Sequence, residues 1–344
     1  MSWCKTTCKT TAKQDPLKQV ADALANHTYF KLICGASFHD VDKVQALVQI
    51  YAQARIDCVD VACEPHVLKA VEEAYHALPM NTPKPLVMVS LDVDGDPHFR
   101  KIHVTRSACV DCEACLPACP VDALFMDASH QFQINHDRCY GCSRCLPTCP
   151  SEALYFQPTH TLPEALLEVL QHPLVGAVEL HANHLEITSL ERLFDAIGTS
   201  LSNKWISLCF RPTEHTPESV EAYLEAFSAL CEEIQPYGVM LQIDGNAMQA
   251  DESHQSSLPA LKGATALAEH WKARFPITLS GGINAETARL LEEEAHQWIA
   301  GVGMGTLARK RIWHYLDDEA TFSQAHDVAS DLVGAFKRFP CERV

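Results

Sequence analysis

The sequence predicts an α/β protein, a TIM-like (β/α)8 barrel interrupted by an α+β insert of the bacterial 2[4Fe-4S] ferredoxin-like type. Three observations carry this. Short apolar runs alternate with amphipathic segments along most of the 344 residues, the rhythm of parallel strands joined by crossover helices. That rhythm breaks once, after the third run, where eight of the 16 cysteines fall in a tandem repeat. The seventh and eighth runs end in glycine-rich turns, which suits barrel strands bordering a pocket. An open doubly wound sheet shares the alternation, because periodicity does not reveal closure. The strand count and the glycine ends favour the barrel.

Residues 1–20 are rich in Thr and Lys, lack periodicity and read as a flexible tail. Cys4 and Cys8 lie there without a nearby His or Cys partner, as in a solvated terminus. The first part of the barrel spans 21–96. A buried strand is predicted at 30–36. A helix follows at 41–54, with Val41, Val44, Leu47, Val48 and Tyr51 on one face. A second strand is expected at 56–62, a helix at 65–78 with proline in its first turn, and a third strand at 86–93. Asp94-Gly95-Asp96-Pro97 is a turn signal.

The insert spans 97–158. It reads Cys109-x2-Cys112-x2-Cys115-x3-Cys119-Pro120, then Cys139-x2-Cys142-x2-Cys145-x3-Cys149-Pro150. The flanks repeat as well: Leu116-Pro117 matches Leu146-Pro147, and Ala123-Leu124 matches Ala153-Leu154. This is the thiolate spacing of a protein holding two [4Fe-4S] clusters. Three cysteines on a tight loop reach three corners of one cube, and the fourth points to the other cube. The expected ligand sets are therefore crossed: Cys109, Cys112, Cys115 and Cys149 for one, Cys139, Cys142, Cys145 and Cys119 for the other. Zinc pairs need neither the third cysteine nor the Cys-Pro step. Unrelated buried or disulfide-bonded cysteines would not share two sets of flanks. Short strands at 101–105, 124–126, 133–135 and 154–156 should bracket the loops, and each proline fixes φ where its loop ends.

The remainder of the barrel and a C-terminal helix occupy 159–344. Helices are expected at 162–171, 190–201, 217–234, 261–274, 285–297, 306–315 and 322–336. Strands are expected at 176–181, 205–210, 238–243, 277–280 and 299–302. A loop rich in Asp, Ser and Gln precedes the helix at 261.

Residues at the carboxyl ends of barrel strands surround the pocket. Here they include Ser37, Asp40, Asp60, Glu64, Ser90, Asp92, Glu179, His181, Arg211, Gln242, Asp244 and Ser280. Many would serve as caps, but together they predict a polar pocket. Lys31, inside the first strand, requires a partner such as Asp60 or Glu179. Gly281 and Gly282 after strand seven, with Gly303, Gly305 and Thr306 at strand eight, let backbone N–H groups approach an anion. They suit FMN or another phosphate-bearing ligand; tight turns and close helix packing would explain the same glycines. Cys34, Cys58, Cys209 and Cys231 read as small core residues, and Cys341 lies in the tail. Cys63, beside Glu64, is the candidate reactive thiol. His39, His98, His103 and His181 are placed near the pocket or the clusters, but no spacing marks them as ligands.

The net charge of −17 argues against nucleic acid or an anionic membrane surface as partner. No apolar run approaches the roughly 18 residues of a spanning helix, and the N-terminus does not resemble a signal peptide. With half the cysteines assigned to clusters, a reducing cytoplasm is expected.

Phe30-Lys31-Leu32-Ile33-Cys34-Gly35-Ala36-Ser37, Asp57-Cys58-Val59-Asp60-Val61-Ala62 and Asp96-Pro97-His98-Phe99-Arg100-Lys101 resemble the cyanobacterial light-dependent period (LdpA) family, from about residue 30 onward. The resemblance implies a cytoplasmic iron–sulfur protein that reports redox state, set by photosynthetic electron flow, to the circadian clock. It implies clock-input partners, a sensor histidine kinase among them, and no assigned reaction. Redox sensing or electron relay is thus the first expectation. A flavin- or phosphate-ligand-dependent oxidoreductase fed by the clusters is the alternative, and an interaction protein with structural clusters is the third.

Overall fold

A computed structural model describes residues 15–159, 163–245, 257–271 and 274–337. In chain order the elements are α1 (Pro16–Ala25), β1 (Tyr29–Ile33), α2 (Val41–Gln53), β2 (Cys58–Ala62), α3 (Pro65–Ala77) and β3 (Leu86–Asp92). The insert contributes β4 (Arg100–Val104), β5 (Leu124–Met126), β6 (Phe132–Ile134) and β7 (Leu154–Pro158). Then come α4 (Pro163–Gln171), β8 (Val175–His181), α5 (Ile187–Leu201), β9 (Trp205–Phe210), α6 (Pro217–Ile234) and β10 (Gly238–Asp244). The chain continues through α7 (Leu258–Trp271), β11 (Ile277–Ser280), α8 (Ala285–Glu292), β12 (Gly301–Met304), α9 (Thr306–Ile312) and α10 (Phe322–Lys337).

The eight barrel strands close in the order β1-β2-β3-β8-β9-β10-β11-β12, all parallel. The alternative of an open sheet is thereby excluded. β2 and β9 are buried along their whole length, as strands covered by helices outside and packed side chains inside must be. α10 closes over the junction of β1 and β2, where Lys337 Nζ lies 2.8 Å from Asp57 Oδ1 and Asp57 Oδ2 accepts from Phe30 N.

The expectation of a flexible tail over 1–20 fails from residue 16 onward. Asp15 caps α1 by accepting from Leu17 N at 3.0 Å, and Pro16 opens the first turn. Val20, Ala23 and Leu24 bury against Tyr29, Leu86, Met88, Trp205 and Met240, stoppering the amino end of the barrel. Trp205 Nε1 donates to Leu17 O at 3.1 Å. Leu17, Val20 and Leu24 carried the helical spacing, and Asp-Pro the start signal. Cys4, Cys8, Cys341 and the loop at 246–256 lie outside the described residues.

Elsewhere the boundaries differ modestly. β1 stops at Ile33, because Gly35 turns the chain away with φ 122°. α8 and α9 are shorter than expected, and each is followed by a 3-10 turn, at Glu294–His296 and Trp313–Tyr315. The insert strands bracket the cysteine loops but pair across the repeat, β4 with β7 and β5 with β6, both antiparallel.

The insert leaves the carboxyl end of β3 and docks on that same face of the barrel. Backbone N–H groups of His39 and Asp40 donate to Asp137 O, at 2.7 and 3.1 Å. Asp40 both caps α2 and binds Arg138 Nε at 2.7 Å. Ser37 Oγ donates to His98 O, and Trp313 Nε1 to Asp122 Oδ2 at 3.0 Å.

Candidate functional site

The tandem repeat folds into two cradles with matching backbone. Left-handed φ values fall at equivalent positions: Asp111, Glu113 and Asp122 in the first half, Gly141, Ser143 and Glu152 in the second. Such turns disfavour most L-residues, so their recurrence marks a backbone wrapped tightly around something. One cavity of about 320 Å³ is lined by Cys109, Cys112, Cys115 and Cys149; we call it the outer cradle. A second, of the same size, is lined by Cys119, Cys139, Cys142 and Cys145, the inner cradle. The structure thus brings together the crossed sets that the spacing predicts.

The residues present fit iron–sulfur cubanes. Ala123 N donates to Cys119 Sγ at 3.2 Å, Ala153 N to Cys149 Sγ at 3.3 Å, and Ile102 N to Cys139 Sγ at 3.4 Å. Such donors stabilise sulfur carrying negative charge. Burial pushes the Cys115 thiol up to about 11 and that of Cys145 up to about 12. Both would hold their protons near neutrality unless a bound metal displaced them.

Beneath the inner cradle lies the barrel mouth, a cavity of about 670 Å³ that opens to solvent. Gly281, Gly282, Gly303, Gly305 and Thr306 all line it, as do Asp60, Glu179, His181, Gln242, Asp244 and Ser280. Gly281 is needed as glycine: its φ is 66°, and a Cβ there would meet Asp244 Oδ1 at 2.4 Å. Lys31 finds the partner its position requires in Glu179, one of the two candidates. Glu179 also accepts from Ser207 Oγ at 3.0 Å and Gln242 Nε2 at 2.8 Å. Burial works against the Glu179 carboxylate, but Lys31 and His181 outweigh it and hold its pKa low. Asp60 moves the other way: burial raises its pKa, Lys31 only partly opposing. Ser90 Oγ donates to Asp60 Oδ1 at 2.7 Å and Ser280 Oγ to Asp244 Oδ1 at 2.9 Å.

Several candidates are structural. Asp92 accepts from Gly95 N and Asp96 N, shaping the turn into the insert. Glu64 precedes α3 at its N-cap. Arg211 reaches Glu214 and Asn183. The reactive-thiol expectation for Cys63 fails: it is buried, and burial, with Glu64 beside it, pushes its pKa to about 12. His103 lies on the insert against His136 and Tyr155, away from the mouth.

Two residues not singled out by the sequence join the cradle to the barrel. Tyr140, next to Cys139, is buried and lines both the inner cradle and the mouth. The Arg309 guanidinium lies 4.3 Å from the Tyr140 ring centroid, a cation–π contact. Arg309 Nη1 donates to Ile33 O and Cys34 O, both at 2.7 Å, while its Nε is buried without a partner.

A parallel barrel bearing a ferredoxin-type pair of cysteine cradles defines an iron–sulfur protein, and comparison with known families agrees. Residues 108–153 match the 4Fe-4S dicluster domain, and residues 169–337 match the Light dependent period A C-terminal domain. Light dependent period A from Synechococcus elongatus is 31% identical over 349 residues, covering 91% of this chain and 89% of its own length. The chain belongs to the light-dependent period A family. Among solved structures it is similar to the homocysteine methyltransferase MmuM from Escherichia coli, at 14% identity and TM-score 0.43, covering 92% of this chain and 98% of that one. A second is (S)-3-O-geranylgeranylglyceryl phosphate synthase from Thermoplasma acidophilum, at 12% identity and TM-score 0.38, covering 93% and 97%. Among the described residues no helix is long and apolar enough to cross a membrane.

Proposed function

We propose that this iron–sulfur protein is a redox sensor or electron relay that carries two [4Fe-4S] clusters, one per cradle, and couples the inner one to the barrel mouth. Bound in the cradles, each cluster would take up and release one electron. The observation that carries the reading is Tyr140, whose chain neighbour Cys139 lines the inner cradle while its own ring lines the mouth beneath Arg309. An added negative charge in that cradle acts on the buried Arg309 guanidinium across little water, where Coulomb forces are weakly screened. Arg309 grips the carbonyls of Ile33 and Cys34 at the end of β1, so a shift of its side chain reshapes the mouth. Family membership supports a cytoplasmic role reporting redox state to the circadian clock through clock-input proteins such as a sensor histidine kinase. Anaerobic purification with iron and sulfide analysis tests the cofactor: about eight irons per chain are expected for two cubanes. Binding to a clock-input kinase that is the same for oxidised and reduced protein would defeat the sensor reading.

A second reading is favoured by one observation. The five glycine-loop residues and Arg309 line a single cavity at the carboxyl end of the barrel strands, where barrels place their ligands. A phosphate-bearing ligand, FMN among them, would make the barrel an oxidoreductase fed from the inner cradle. Gly282→Asp, at a position with φ 88°, should abolish co-purifying flavin or phosphate ligand by charge and bulk; ligand retained by that variant would remove this reading.

A further inference from the structure

Three side chains outside the cradles converge at the barrel mouth. Asp96 and His98 lie on the strap leading from β3 into the insert, and His181 ends β8. Their ligand atoms lie within 4.8 Å of one another. Asp96 Oδ1 is 2.5 Å from His98 Nδ1, and Asp96 Oδ2 is 3.8 Å from His181 Nδ1. The two imidazole centroids are 5.2 Å apart. His181 is only 5% exposed, yet neither ring nitrogen makes a hydrogen bond. A buried imidazole flanked by two carboxylates but without a well-formed hydrogen bond is costly, and the 3.8 Å separation from Asp96 Oδ2 leaves place for a bridging group.

The surroundings point to a cation. Asp60, Glu179 and Asp244 line the mouth and Asp96 is buried on the strap beside it, with Lys31, Arg309 and His181 as the buried groups that offset them. On the far side of His181, Glu179 Oε1 lies 3.4 Å from Nε2 and is itself held by Lys31 and Gln242. A fixed carboxylate behind an imidazole is the arrangement that orients metal-bound histidine. Cys209, the sulfur near His181, already accepts from Gln242 Nε2.

We propose that Asp96, His98 and His181 bind one divalent transition ion at the barrel mouth, with Glu179 orienting His181. Two imidazoles and a carboxylate suit a borderline ion such as Zn2+ or Fe2+ rather than Mg2+ or Ca2+. The ion ties the root of the insert to a barrel strand, and the proposal stands whether or not the cradles sense redox state.

The test is zinc binding by the full chain, purified anaerobically with its iron. After dialysis against micromolar Zn2+ and then buffer, zinc and iron are measured on the same sample. About one zinc per chain is expected beyond the iron. His98→Gln and His181→Gln should each lower it at least tenfold at unchanged iron content, while the exposed His314→Gln should keep it. His98 is only partly buried, so its variant remains informative if His181→Gln fails to fold. Three results would overturn the site: no zinc at full iron content, zinc retained in both histidine variants, or zinc that rises only as iron falls, which reports vacated cysteines.

Discussion

The outer and inner cradles share a motif and a backbone but differ at one telling pair of positions. Asp111 and Gly141 occupy equivalent left-handed turns. The outer loop faces open surroundings, with Cys112 exposed and Val110 66% exposed. There an aspartate fits, and it accepts from Arg106 and Phe132 N. The inner loop packs against the strap, and a Cβ on Gly141 would meet Arg100 O at 2.6 Å. Cys139 and Cys145 are buried there, and Tyr140 lies under Arg309. One half of the repeat is thus built to face solvent, the other to meet the barrel.

Exchanging that pair should give the largest effect. Gly141→Asp is expected to lose about half of the iron and the docking of the insert, because backbone at 2.6 Å cannot yield cheaply. Asp111→Gly should keep its iron and lower the Tm only slightly, since an exposed ion pair and a turn hydrogen bond contribute little. Equal iron loss in the two variants would erase the distinction between the cradles. Next, Cys112→Ser and Cys142→Ser should each lose about half of the iron of two cubanes. Cys142→Ser should lower the Tm further, its cradle being sandwiched against the barrel. Arg309→Ala should then cost about 2–3 kcal/mol in denaturant titration, from two carbonyl hydrogen bonds and the stack on Tyr140.

The smallest effect is a pH dependence at the docking face. Burial, then Lys101 and His66, depress the pKa of His39 to about 3. The folded state therefore prefers neutral His39. Its contribution is complete above the unfolded pKa of about 6.5 and fades as pH falls from there through about 3. His39→Gln should flatten that part of the stability profile, measured by thermal melts across the range. An unchanged acid limb would remove His39 from the account.

The barrel and the cradles were legible in the sequence for a common reason: both rest on local spacing. Alternating runs fixed the strands, and the two tandem cysteine sets fixed which thiols meet. Lys31 was legible because a charge inside an apolar strand demands a partner, although two carboxylates qualified and only the fold puts Glu179 against it. α1 was missed because its apolar face is short and follows a polar stretch without periodicity. The pairing of β4 with β7 was missed because very short strands carry no register. The contacts of Tyr140 with Arg309, and of Asp96 and His98 with His181, join residues far apart in the chain; the fold of the insert over the closed barrel makes the first, and the pairing of β3 with β8 the second.

The central claim is that the inner cradle reports its charge to the barrel. Hydrogen exchange of the anaerobic, iron-loaded protein, poised fully oxidised and then fully reduced, tests it most directly. Protection should change between the two states in the loop from Cys139 to Cys145 and in the segment from Gly303 to Arg309, while α1 and the strands at the amino end of the barrel stay the same. Identical protection of the Gly303 to Arg309 segment in both states would contradict the account.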